Sequence, residues 1–434
     1  MLSLKDFIHG PYIKCPKCGK NSFSVSIICD HHYFRRCTEC YYPDPSKGEK
    51  SHKYSLPKLN KKVIYIDQFA ISNMMKFLNP ATKSHRKVKG DIFWGKLFEQ
   101  LHTLCKLQLI ICPDSDMHET ESLLAPYYES LKRIYELLSN GISFQSHETI
   151  KLFQIIGQFN IWIGDIKKYD LNVQDIVSKN INAWQDRLTI SINRDNPQSL
   201  IEEIRTNRDK VDDYVKDIFI KWQKEKNKDF DYWYKEEKKA EARTLIELYQ
   251  KNLERLLKMS YGLIPFEPDA VFPGFANKAF YAIKDRLKRK GISEEKEINK
   301  KLSEFLYSET FENAPYIKIA SMLYAAMTRR AAHQGRKKPP GRGFINDVKM
   351  ISTLLPYCDA MFIDNECRNL LLEKPLCDDI NYGTKVFSLS NKEEFLSCLD
   401  EIKQSASEEH MKAVEEVYGL NWAKPYWGIF KQEL

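Results

Sequence analysis

The sequence predicts an α/β protein: a mostly parallel sheet flanked by helices, split by a large helical insertion and preceded by a small metal-stapled module. Three observations predict it. Short apolar runs at 63–66, 107–112, 360–363 and 385–389 alternate with stretches of helical periodicity, and strands alternating with helices imply parallel pairing. Residues 126–313 instead carry long charged stretches such as 222–258, where Leu245, Leu248, Leu253, Leu256 and Leu257 recur at helical spacing. Two Cys-x-x-Cys pairs lie within the first 40 residues. The chain has 434 residues, 43% apolar and 12% aromatic, which supplies core for several domains at about 150 residues each. No apolar run approaches the ~20 residues that span a bilayer. The first ten residues lack the basic start, apolar stretch and cleavage site of a secretory signal. A cytoplasmic protein with no membrane partner is expected.

Cys15, Cys18, Cys37 and Cys40 form the module at 1–44. The two pairs are separated by 18 residues, the spacing of a four-thiolate zinc site. Four thiolates fill a tetrahedral coordination sphere, so such a Zn²⁺ is structural and supplies stability that so small a core lacks. Cys29, His31 and His32 lie between the pairs and are read as bystanders. The pattern resembles a zinc ribbon. Its basic and aromatic residues, Arg35 and Arg36 with Tyr33, Phe34, Tyr41 and Tyr42, suit contact with nucleic acid or, equally, a protein-docking face. Residues 45–62 are polar and basic without apolar periodicity and read as a linker. Cys105, Cys112, Cys358, Cys367, Cys377 and Cys398 read mostly as small buried hydrophobes.

The charge is uneven. The net value is +8, and residues 1–62 hold 12 Lys/Arg against 5 Asp/Glu. A second basic cluster, Lys318 to Arg342, contains seven Lys/Arg, with no acid between residues 313 and 346. Two basic patches point to a polyanionic partner.

The strand at 63–66 ends in Asp67, at the position where open parallel sheets place ligands; an N-cap for the following helix reads equally well. After the run 107–112, Ser115 or Asp116 starts a helix. Met117, Glu121 and Leu124 share one face of it while Glu119 points away, at about 100° per residue, so Glu121 is preferred to Glu119. His118 is read as a neighbour of Glu121 on that face or as a surface histidine. Following the insertion, 315–333 reads as a helix, 335–343 as a basic loop, and a further helix begins near Asn346. On that helix Asp347 continues the apolar stripe of Ile351 and Leu354, as a cap or a metal ligand. Asp364 closes 360–363 and repeats the geometry of Asp67, with Glu366 competing for its role. Residues 390–393 match a capping box opening one more helix. Four carboxylates converging on one sheet edge would repel strongly. Hard oxygen ligands select Mg²⁺ or Mn²⁺, ions that activate water and stabilise both oxygens of a phosphodiester displacement. Arg329, Arg330, Arg336, Lys337, Lys338 and Arg342 would then hold the phosphate backbone.

The ordered set Val63-Ile64-Tyr65-Ile66-Asp67, the apolar-then-acidic stretch from Leu109 to Glu121, and Asn346-Asp347 followed by Phe362-Ile363-Asp364 resembles the PIN-domain nucleases. The resemblance covers a core at 63–125 and 314–400, interrupted by the insertion at 126–313 and followed by a helical extension at 401–434. It implies that Asp67, Glu121, Asp347 and Asp364 bind Mg²⁺ or Mn²⁺ for cleavage of RNA, less often structured DNA. The family often has Thr or Ser before the last acid, where this chain has Ile363, and the insertion is unusual for it. A metal-dependent endonuclease acting on single-stranded or looped RNA is the leading expectation, in RNA processing, toxin action or antiviral defence. The alternative is a non-catalytic nucleic-acid-binding or scaffold protein that uses the ribbon and the insertion, the latter also a candidate surface for a protein partner. A nucleotide-binding switch is disfavoured, since neither Gly-x-x-x-x-Gly-Lys-Ser/Thr nor Gly-x-Gly-x-x-Gly follows a candidate strand.

Overall fold

The structure, a computed structural model, describes residues 10–186, 198–267, 274–425 and 427–430. Most of the residues read for a secretory signal lie outside these, and so do 268–273, part of the stretch between Gly262 and Gly274 whose three prolines predict an irregular connection. No helix among the described residues is long and apolar enough to cross a membrane.

The first strands, β1 (Ile13–Lys14), β2 (Asn21–Cys29), β3 (His32–Cys37) and β4 (Lys53–Ser55), form an antiparallel sheet in that order. The stretch expected to be a free linker is therefore partly sheet: Tyr54 pairs with Tyr33 and stacks on its ring at 5.0 Å. Beyond β4, Leu56 and Leu59 are buried with Val25, Ile28, Tyr33 and Trp184. Polar composition hid these leucines, because they sit singly and show no period. Trp184 locks the strap, its backbone N–H bonding the Asp30 carbonyl and its indole N–H the Pro57 carbonyl, both at 2.8 Å.

The central sheet follows. β5 (Lys62–Ile66) leads to α1 (Gln68–Leu78), α2 (His85–Lys89) and α3 (Phe93–Lys106), then β6 (Ile110–Ile111), α4 (Asp116–Leu123) and α5 (Tyr128–Ser139). The strand expected over 107–112 is shorter because Leu107 and Gln108 close α3. After the insertion come α12 (Pro315–Ala332), α13 (Phe344–Leu354), β7 (Ala360–Phe362), α14 (Asn365–Leu371), α15 (Leu376–Asp379), β8 (Lys385–Phe387), α16 (Lys392–Gln404) and α17 (Glu408–Tyr418). The strand order is β6-β5-β7-β8, all parallel. Alternate residues serve opposite faces: Val63, Tyr65, Ile111 and Met361 join one cluster with α12 and α13, whereas Ile64, Ile66, Ile110 and Phe362 join another with α1, α3 and α16. Burial on both faces is why these strands read as unbroken apolar runs. The capping box lies at Ser388–Asn391, two residues before its expected place, and closes a 3₁₀ turn ahead of α16.

Of the expected insertion at 126–313, α5 packs in the core with Ile64 and Ile66 through Leu131, Ile134, Tyr135 and Leu138; the remaining α-helices among the described residues are α6 (His147–Trp162), α7 (Gln198–Lys224), α8 (Phe230–Ser260), α9 (Phe275–Arg289), α10 (Glu295–Leu306) and α11 (Glu309–Glu312). Its sequence stretch 222–258 is broken between Lys224 and Asp229, and Asp229 caps α8 through the Tyr232 N–H at 2.8 Å. Leu245 of the expected leucine stripe is buried, but Leu248 and Leu257 are exposed. The first part of the insertion shares the central core: Phe144, Ile150, Ile176, Phe219, Trp222 and Phe230 pack in the same cluster as Val63 and Met361. At the other end, α17 buries Val414, Val417 and Tyr418 against Tyr33 of the N-terminal sheet and Trp184 of the insertion.

Trp184→Ala is expected to cost about 3–5 kcal/mol by leaving a cavity at this junction. Urea unfolding measures the loss, and limited proteolysis should show new cutting within residues 44–60.

Candidate carboxylate cleft and cysteine cluster

Parallel pairing places the ends of β5 and β7 side by side, and the Asp67 N–H extends the ladder by bonding the Phe362 carbonyl at 3.0 Å. Asp67 caps α1, its Oδ1 accepting the Phe69 N–H at 3.0 Å. Asp364 caps α14 in the same way, with Oδ1 accepting the N–H groups of Glu366 at 2.6 Å and Cys367 at 3.0 Å. Cap and ligand are thus compatible roles, one oxygen holding the helix while the other remains. In Asp364 that other oxygen, Oδ2, is buried without a hydrogen-bond partner. The N-terminus of α13 brings the third acid. Gly343 turns the chain with φ of +115°, a left-handed conformation that a side chain would strain, and the first turn then presents Asn346 and Asp347. The fourth, Glu121 on α4, accepts a hydrogen bond from the Asn346 side chain at 3.2 Å.

All four carboxylates line one cleft of about 710 Å³. Glu119 does not; it is exposed and belongs to a separate cavity behind α4. The electrostatics are those of crowded acids. Burial pushes the Asp347 carboxyl up to about 9, with further upward pressure from Asp67, Asp364 and Glu121. Burial likewise raises Asp67 to about 7 against the downward pull of the Phe69 N–H, with Glu121 and Asp364 adding to the rise. Glu121 is raised by burial, and Asn346 and Arg208 oppose the shift.

Part of the acid set could hold a metal ion, in a group that includes neither Asp67 nor Glu121. Asp347, Asp364 and Cys367 each offer an atom within 4.8 Å of the others, and the orphaned Asp364 Oδ2 is the kind of buried acceptor that an ion satisfies. Cys367 was read from sequence as a packing residue. It is fully buried, but it stands three residues after Asp364, and the first turn of α14 returns it to that carboxylate. Gln68, Asp116, His147 and Arg208 also line the cleft without having been singled out as part of it. Arg208 had no readable signal, since only the tertiary path of α7 brings it there.

Several expectations need correction. His118 does not flank Glu121. Its ring is buried under the sheet between Tyr65, at 5.1 Å, and Tyr135, at 4.8 Å, and burial lowers it to about 4. Arg35 is 4% exposed, its guanidinium donating to the carbonyls of Pro11 and Glu416, so it has no surface left for a phosphate. Arg36 is half-buried and bonds the Tyr41 carbonyl at 3.3 Å. Arg329 and Arg330 share Glu373, with bonds of 2.7 Å each, and Arg336 pairs with Glu366, an acid that, unlike Asp364, does not line the cleft. Lys337 and Lys338 are exposed. Of the basic loop only Arg342 lines the cleft, paired with Asp209 of α7, and the remaining cations there are Lys76, Arg208 and Lys349.

In the N-terminal sheet, Cys15, Cys18, Cys37 and Cys40 hold their sulfurs within 4.8 Å of one another. Cys15 and Cys40 are 3.6 Å apart and Cys18 and Cys37 3.8 Å, close to the ~3.8 Å edge of a tetrahedron with metal–sulfur bonds of about 2.3 Å. Cys37 Sγ accepts the N–H groups of Glu39 at 3.4 Å and Cys40 at 3.3 Å. Burial pushes its thiol up, but these bonds and the Ser22 hydroxyl bring it down to about 6. The cluster can hold a metal and leaves no ligand position open. Comparison of the chain with family models, curated proteins and solved structures finds no match in any of the three.

Raised carboxyls set a direction for stability. The folded state of the metal-free chain holds protons that the unfolded chain releases near pH 4, so stability is full below that pH and is lost as pH rises through about 7 for Asp67 and about 9 for Asp347. Asp347→Asn is expected to stabilise the metal-free protein at pH 8 by more than ~1 kcal/mol while changing little at pH 4; paired urea titrations at the two pH values measure it.

Proposed function

We propose that this chain is a metal-dependent endonuclease with a PIN-like core, hydrolysing phosphodiester bonds of nucleic acid with RNA favoured. One observation carries the reading: four carboxylates from segments almost 300 residues apart share a cleft at the carboxyl edge of a parallel sheet, faced by Lys76, Arg208, Arg342 and Lys349. Acids alone would describe a cation site; acids opposed by cations suit a polyanion whose charge needs both. Asp67, Glu121, Asp347 and Asp364 are the proposed Mg²⁺ or Mn²⁺ ligands. Such an ion supplies Lewis-acid polarisation of phosphate and acidification of water. The chain's own part is to fix the carboxylates on helix caps, hold Glu121 through Asn346, and seat the backbone on the opposing cations. Lys337 and Lys338 are exposed on the loop that leads to Arg342, where they are available to a polyanion.

The N-terminal cluster is proposed as a structural Zn²⁺ site. Since β3 packs on α17 through Tyr33, Val417 and Tyr418, its role is to brace the sheet that clasps the two ends of the chain. The zinc-ribbon surface as a nucleic-acid contact is not retained for Arg35.

Purified protein is expected to cut labelled single-stranded RNA with Mn²⁺ or Mg²⁺, to stop with EDTA, and to lose at least ~100-fold in rate in Asp67→Asn and Asp364→Asn. Binding without cutting in wild type and both variants would favour the scaffold alternative. Elemental analysis is expected to find one zinc per chain, abolished by Cys37→Ser and unaffected by Asp364→Asn.

A further inference from the structure

Hydrolysis of a phosphodiester leaves a ribose oxygen that has to take up a proton. Carboxylates that ligate a cation are ionised and cannot donate, and arginine does not release its proton, which leaves His147 and the lysines Lys76 and Lys349 as the acids the cleft offers. His147 lines the same cleft as Asp67, Glu121, Asp347 and Asp364. It is the first residue of α6, and its Nδ1 lies 2.8 Å from Asp116 Oδ2, the oxygen that also accepts the His147 backbone N–H at 3.2 Å. The other Asp116 oxygen accepts the Met117 N–H at 2.9 Å. The carboxylate is thereby fixed before it fixes the ring. Burial pushes Asp116 up, but the bond and charge of His147 outweigh it and hold the acid below the usual carboxylate range. An ionised Asp116 requires the hydrogen on Nδ1 and leaves Nε2 as the nitrogen available for exchange. Lys349 on α13, which lines the same cleft, feels the charges of Asp116 and of Lys151 and Glu148 on α6. Helix starts do not demand histidine, and the Ser146 hydroxyl already caps α6 through the Thr149 N–H.

Resting on the endonuclease reading, we propose that His147 is the general acid of the reaction, oriented by Asp116. A water oxygen forms the new bond to phosphorus, and the bond from phosphorus to the ribose oxygen breaks, its electron pair passing to that oxygen. The imidazolium Nε2–H gives its proton to the departing oxygen. The proton lost by the attacking water goes to solvent, and solvent reprotonates the neutral imidazole, so each cycle consumes one water.

The test compares natural oligonucleotides with ones carrying a bridging sulfur in place of the 3′- or 5′-oxygen at the cut position, because a thiolate leaves without protonation. His147→Gln keeps an amide donor for Asp116 but has no acid proton. It is expected to cut the natural diester at least ~100-fold more slowly and the matching sulfur substrate within about threefold of wild type. Asp116→Asn is expected to show a smaller loss with the same rescue. Equal losses on both substrates, or no loss on either, would overturn the assignment, as would weakened Mn²⁺ binding by His147→Gln in electron paramagnetic resonance, which would make the residue a ligand. Wild type cutting while Asp347→Asn is silent and His147→Gln is normal removes this inference alone. Wild type that cuts neither substrate removes the endonuclease reading and the general acid together.

Discussion

Mutual repulsion of carboxylates in one cleft is the constraint around which the core is arranged. Each acid would relax by turning towards water, and none is free to do so. Asp67 and Asp364 are tied by one oxygen to the first turns of α1 and α14. Asp347 is delivered by a helix start, and Glu121 by the Asn346 amide. The two neighbouring strands supply the rigidity, since β5 and β7 are buried on both faces and cannot slip register without exposing the runs that fill two cores. Burial first, and the neighbouring acids after it, raise Asp67 and Asp347.

The same constraint orders the positive charge. Arg329, Arg330 and Arg336 look from sequence like one basic strip, yet Glu373 and Glu366 draw them into ion pairs on the surface of α14 and the turn after it. The cations that reach the cleft come from four separate elements, and three of them, Lys76, Arg208 and Lys349, lie at positions unremarkable in sequence. Charge clustering along a chain therefore overstated the patch, because acids 30 to 44 residues downstream fold back on it.

The alternation of strands and helices was legible from sequence wherever one residue type had a single physical meaning. Apolar runs of four or five residues ending in an acid marked β5 and β7, and the acids closing them fall together because parallel strands end on the same side. Cysteine spacing marked the sulfur cluster for a similar reason, as a knuckle needs two ligands three positions apart. What stayed hidden depends on distant partners. The 45–62 strap is a strand only because Tyr33 is there to pair with, and Leu56 and Leu59 are core only because Trp184 and α17 cover them. His118 and Glu121 were placed on one face by helical geometry, but a helix lying on a sheet edge has solvent-facing and sheet-facing sides within that arc, and the ring took the latter. Asp116 and His147 are separated by α5 and had no local pattern to join them.

The strand pairing also has a consequence in time. Ile64, Tyr65 and Ile66 register against Ala360, Met361 and Phe362, so the central strand waits for a neighbour made nearly 300 residues later. At a synthesis rate of about 5–20 residues per second, that interval is of the order of 15–60 s. During it the insertion helices can form from local contacts, but Asp67 has no Asp364 beside it. The ribosome therefore acts as a timer on the cleft: a nascent or truncated chain carries the helices and half the acids, and only a chain that has reached β7 and the Asp364 beyond it closes the sheet that unites them.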